Sequence, residues 1–205
     1  MAPKKFVFFS LSIAVLATAL AIYALLRKGK AASPVYMIMY ANTPKFATEK
    51  NFNEENFWDN YPYWVLLSRR QKIEPGFMLE DLTGSQVSLQ NLLRLSHPIF
   101  FRYHGNNLND SLLNMIFETA TRLKLKIGIL INQNHVNKFE RLPLFEKFRG
   151  DIFISHSPVP LRIENSGQNY FFSLNQSFET EDILVPRNEV PEVTVKFLEF
   201  IKQNN

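Results

Sequence analysis

Four histidines, His97, His104, His135 and His156, are the side chains of this 205-residue chain best suited to hold a metal ion or move a proton. None stands in a recognisable catalytic arrangement. His97 directly precedes Pro98, and His135 falls where a helix is expected to begin; neither has a serine or an acid at catalytic spacing. The acids Glu80, Asp81, Glu118, Glu140 and Glu146 are scattered over expected solvated faces, so no carboxylate pair is set for acid and base work. With seven glycines in all, the chain has no glycine-rich loop to cradle a phosphate. It has no cysteine, which excludes a disulfide framework, a thiolate zinc site, an iron–sulfur cluster and a thiol nucleophile.

The elements that must position these groups follow a long apolar run. Phe6 to Leu26 carries no charge and is bracketed by Lys4 and Lys5 before it and Arg27, Lys28 and Lys30 after it. A helix of that length covers about 30 Å, the thickness of a bilayer's hydrocarbon core. Residues 1–30 are therefore expected to form an uncleaved single-pass membrane anchor with basic flanks. The alternative is a secretory signal, since Ala17, Ala19 and Ala21 supply small residues, in which case the domain is secreted. Against it, a signal's apolar region usually runs about 7–15 residues, and here the run continues through Leu25 and Leu26 into a basic cluster. A buried soluble helix is the third reading. The flanking charges nearly balance and do not set the orientation.

Beyond the anchor there is chain for one ordinary domain and a connecting segment, assigned to residues 31–74 and 75–205. Hydrophobic residues at 46% and aromatic residues at 14% are enough for a substantial core. The net charge of +4 comes from the five basic residues flanking the anchor, so the domain is near neutral. Without a basic stripe, nucleic acid is not an expected partner.

Along the chain, the apolar and aromatic positions Phe57, Trp58, Tyr61, Trp64, Val65, Leu66 and Leu67 fit a helix that Pro62 interrupts or starts afresh. Phe77 to Leu82 and Gln86 to Leu89 flank Thr83-Gly84-Ser85 as a hairpin, with a helical turn over Ser88 to Leu93. Pro98 to Tyr103 and Lys126 to Asn132 read as buried strands. Asn109 or Asp110 caps the helix between them, whose Leu112, Leu113, Ile116, Ala120 and Leu123 share one face. A helix over His135 to Arg149, interrupted by Pro143, leads to a third strand at Asp151 to Ser155. Leu161 to Glu164 and Asn169 to Leu174 read as a second hairpin, and Glu189 to Gln203 as a closing helix. Right-handed crossovers make the first three main strands parallel, and the hairpin adds an antiparallel edge.

This order, and two local motifs, resemble the thioredoxin-like superfamily, in particular its membrane-tethered thiol-disulfide oxidoreductase and peroxiredoxin branch. The likeness spans Pro75 to Gln203. Pro75-Gly76-Phe77 with Asp81-Leu82-Thr83-Gly84 and Val87-Ser88-Leu89 is similar to the family's opening hairpin. Pro158 and Gly167 have the spacing of the family's cis-proline and the turn glycine after it. The resemblance implies a three-layer α/β sandwich with a mixed central sheet, and a soluble domain facing the periplasm or another extracytoplasmic space.

The departure is at the site. Where the family carries Cys-x-x-Cys, between the first buried strand and its helix, this chain reads His104-Gly105-Asn106-Asn107-Leu108-Asn109, with Asn106 and Asn109 at the nearest spacing. An amide is no nucleophile, so the resemblance implies a degenerate member without thiol exchange or peroxidase activity, and no cofactor. In the family the junction and the cis-proline loop lie side by side. By that resemblance His104, Gly105, Asn106 and Asn109 would form a peptide groove with Ser157, Pro158 and Val159, and His104 would approach His156 as a weak metal or anion pair. The expected function is a membrane-anchored, redox-inactive interaction or peptide-binding module with a protein or peptide partner. A thiol-independent, metal-assisted enzyme using His104 and His156 is the alternative. The 31–74 segment either covers this groove or leaves it open to a partner.

Overall fold

The computed structural model describes residues 61–95, 97–105, 108–142 and 145–204. The expected anchor over residues 1–30, residues 31–60 of the connecting segment, and Asn106 lie outside the described residues. No described helix is long and apolar enough to cross a membrane.

The fold is mixed α/β around a seven-stranded sheet. Its strands are β1 (Met78–Asp81), β2 (Gln86–Ser88), β3 (Ile99–Tyr103), β4 (Ile127–Ile131), β5 (Ile152–Ile154), β6 (Tyr170–Leu174) and β7 (Thr180–Leu184), in the spatial order β2-β1-β5-β4-β3-β6-β7. β3, β4 and β5 run parallel, and β6 lies antiparallel against β3. β3 and β4 are buried at every position, as strands of a sheet covered on both faces are, and all but Arg102 of β3 are apolar, aromatic or glycine. The helices are α1 (Tyr61–Ser68), α2 (Leu89–Arg94), α3 (Asp110–Leu123), α4 (Val136–Glu140), α5 (Phe145–Phe148) and α6 (Pro191–Asn204).

Side-chain alternation sorts the packing into layers. On one face Phe101 stacks on Phe171 at 4.6 Å, Phe171 meets Phe197 of α6 at 5.9 Å, and Tyr103 meets Phe139 of α4 edge-on at 4.7 Å. On the other, Phe100 stacks on Phe172 at 5.2 Å. Gly128 is the residue that lets Phe100 lie so close to β4, because a Cβ there would come within 2.6 Å of the ring. That second face also carries Arg102, and it is covered by a short 3-10 helix, Arg162–Ser166, which packs against α1.

Two expectations need correction. Leu161 to Glu164 is not a strand: its apolar-polar alternation belongs to the 3-10 helix, whose Ile163 and Glu164 are both buried. The antiparallel partner of β6 is β7, whose first residues, Thr180, Glu181 and Asp182, gave no apolar signal. Asp182 is bonded to Ser173 Oγ of β6, and the start of β7 at Thr180 is bonded by residues 70–73. Arg70 N donates to Thr180 O (2.8 Å), Thr180 N to Gln71 O (3.0 Å) and Ile73 N to Phe178 O (2.9 Å). The described part of the connecting segment thus closes this sheet edge.

Candidate functional site

β3 and β4 end side by side, and the residues just beyond them meet the start of β6. In open α/β sheets ligands bind outside the carboxyl ends of the strands. Arg102, inside the apolar sequence of β3, is 2% exposed. A guanidinium cannot shed its charge, so burial there demands acceptors. Glu164 of the 3-10 helix provides them: Arg102 Nη2 donates to Oε1 at 2.9 Å, and Nε to Oε1 and Oε2 at 3.1 and 3.3 Å. Asn132, just after β4, accepts from Nη2 at 2.8 Å. Nη1 is buried and has no partner among the described residues.

The same carboxylate gathers two more groups. The Tyr170 hydroxyl donates to Glu164 Oε2 at 2.6 Å, and His104 Nε2 lies 3.3 Å from that oxygen. Burial alone would favour the neutral acid. It is outweighed by the hydrogen bond with His104, the charge of Arg102 and the Tyr170 hydroxyl, which together hold the Glu164 carboxyl at about 2. Tyr170 is pushed the other way, its phenol raised well above the usual range by burial and by the Glu164 charge. Glu164 is thus ionised and fully engaged, and Tyr170 stays protonated, so neither serves as a base or nucleophile at neutral pH.

The 3-10 helix bearing Glu164 is fixed by α1 and its exit. Ser68 Oγ accepts from Ile163 N at 2.8 Å, and Gln71 Oε1 accepts from Arg162 N at 2.7 Å. At the junction itself Gly105 has a φ of +83°, and a Cβ there would lie 2.3 Å from the His135 ring. Glycine is required twice over, for the backbone region and for the contact. His135 also meets Tyr103 edge-on at 5.6 Å. Burial, then the nearby His104, Lys138 and Arg102, lower its pKa below the ordinary 6.5.

The residues singled out from the sequence divide between two places. His104, Gly105 and Asn109 are at the junction. Asn109 acts there as the cap of α3, accepting from Leu112 N at 2.8 Å. Ser157, Pro158 and Val159 follow β5, and β4 lies between β5 and β3, so the two groups start from strands about 10 Å apart. His156 pairs with Glu80 of β1 (3.0 Å), not with His104. Val159 is a core residue, 2% exposed. No described peptide bond is cis, so the bond before Pro158 is trans. The loop beside the junction is instead the one entering β6, where the side-chain Oδ1 of Asn169 accepts from His104 N at 2.7 Å. Among the described residues no group of three potential metal ligands converges.

Arg102, Asn132, Glu164, Asn169 and Tyr170 were not singled out. The available signal was Arg102 itself, a charge inside Ile99-Phe100-Phe101-Arg102-Tyr103, which obliges a buried strand to find an acid elsewhere. Which acid it would be depended on the misread 161–164 segment.

No family model and no curated protein matches this chain. Among solved structures it is similar to the thioredoxin domain of a thiol-disulfide oxidoreductase from Bacteroides vulgatus, at 12% identity and a TM-score of 0.43, over 64% of this chain and 99% of that one.

Proposed function

We propose that this chain is a membrane-anchored, thioredoxin-like module without redox activity, which binds a protein or peptide partner at the junction of β3 and α3 on the extracytoplasmic side. The observation that carries the reading is the replacement of reactive groups by a hydrogen-bonded network centred on the Glu164 carboxylate. Where a thiol pair would act, Arg102, Glu164, Tyr170 and His104 hold one another, and the chain has no cysteine. The parallel β3-β4-β5 core with the antiparallel β6-β7 pair joined to β3 through β6, preceded by the β1-β2 hairpin, supports the thioredoxin-like assignment. Anchoring rests on the uncharged Phe6 to Leu26 run. A network of this kind rigidifies its surroundings, and the half-buried His104 and His135 then present fixed rings to a partner.

The test is site-specific photo-crosslinking in native membranes. A probe at Ser111, exposed in the first turn of α3, should capture a discrete partner. A probe at Leu95, 59% exposed after α2 at the opposite end of the sheet, should not. Identical products from both positions would refute the reading.

A further inference from the structure

At the other end of the sheet, where β3 and β4 begin and β6 finishes, lies an open cleft of about 490 Å³. Five-residue strands separate it from the junction by about 17 Å, so it is a distinct site. Its volume is in the range of small-molecule sites, about 300–1,000 Å³. Leu93, Leu125 and Leu174 supply apolar wall, and the rim carries Lys124, Lys126 and Lys202. No carboxylate lines it among the described residues, and none of the three lysines forms an ion pair there. The one histidine in the wall, His97, is already engaged at both nitrogens, by Leu92 O at 3.1 Å and Asp151 at 2.8 Å.

Three like charges over an apolar cleft repel one another and gain from an anion seated between them. Favourable interaction with a helix C-terminus accounts for Lys124, the C-cap of α3, and for Lys202, in the last turn of α6, but not for Lys126. It does not explain three facing one cleft without an acid. Lys124 is also held in the left-handed region, at φ 50°, where a glycine or asparagine would be the unstrained choice.

We infer that this cleft binds an amphipathic anion: a phosphate or carboxylate head held by Lys124, Lys126 and Lys202, with an apolar body against Leu93, Leu125 and Leu174. Ammonium groups are point charges and do not select between the two heads. The head can belong to a soluble metabolite or to a lipid.

The full chain, held in neutral-lipid nanodiscs, can be labelled with an environment-sensitive dye at Gln176→Cys, because it has no other thiol. Hexyl phosphate should give a saturable response, with inorganic phosphate and hexanol each at least about tenfold weaker, a difference of about 1.4 kcal/mol. Replacing Lys124, Lys126 and Lys202 by glutamine together should weaken hexyl phosphate by a similar factor and leave the circular dichroism unchanged. In discs of anionic lipid, loss of the hexyl phosphate response identifies a lipid head group as the source; an unchanged titration identifies a soluble anion. No saturable response below about 10 mM, or an equal one in the triple variant, overturns the inference.

Discussion

Replacing Glu164 with glutamine removes one charge from the most enclosed ion pair among the described residues while keeping its shape. The carboxyl is held at about 2 against an ordinary 4.5. At about 1.4 kcal/mol per pH unit, ionised Glu164 contributes about 3 kcal/mol to the native state at neutral pH. The sign follows from the depressed value: this stability is present above pH 4.5 and is lost as the pH falls from 4.5 towards 2. Glu164→Gln should also leave Arg102 buried against a neutral amide, and breaking a buried pair this way costs about 3–5 kcal/mol. Urea unfolding followed by fluorescence is a suitable assay, since Trp64 is buried in α1 and α1 packs on the 3-10 helix. The wild-type chain should lose about 3 kcal/mol between pH 5 and pH 2 beyond whatever the variant loses. A cost below about 1 kcal/mol at pH 7, or parallel pH profiles, would refute the electrostatic account. Arg102→Met with Glu164→Leu, which replaces the pair by apolar groups of similar volume, should recover part of the lost stability, the remainder being the buried Tyr170 hydroxyl left without its acceptor.

Other perturbations address the junction and the anchor. Gly105→Ala should destabilise by about 1–3 kcal/mol through its positive φ and its clash with His135, and His135→Ala in the same chain should relieve only the clash, as a double-mutant cycle will report. Asn109→Ala should cost about 1 kcal/mol by uncapping α3, measured by urea unfolding, without altering the shape of the pH profile. The protein should remain with the membrane pellet after alkaline extraction and retain residues 1–30; recovery of a soluble form that begins after Ala21 would establish signal cleavage instead.

The sequence made the main sheet legible because β4 is a continuous apolar run and β3 is apolar but for Arg102, and α3 carries an unmistakable apolar face under an asparagine cap. It misled at residues 161–184 for a physical reason. The 3-10 helix mimics strand alternation, while β7 begins with three polar residues, of which Thr180 bonds to a segment about 110 positions earlier in the chain and Asp182 to Ser173 of β6. That one error moved the loop beside the junction from Asn169 to Pro158, and with it half of the expected groove. Glu164 was hidden for the same reason, since its burial depends on α1 clamping the 3-10 helix across 95 positions of sequence.

The most direct test of a binding junction held by this network is the crosslinking yield from Ser111 in native membranes, compared between the wild-type chain and the Arg102→Met, Glu164→Leu variant. The variant should stay folded while His104 loses the carboxylate that fixes its ring, so capture of the partner should fall by about tenfold, or about 1.4 kcal/mol. Undiminished capture from a variant lacking the pair would contradict the account.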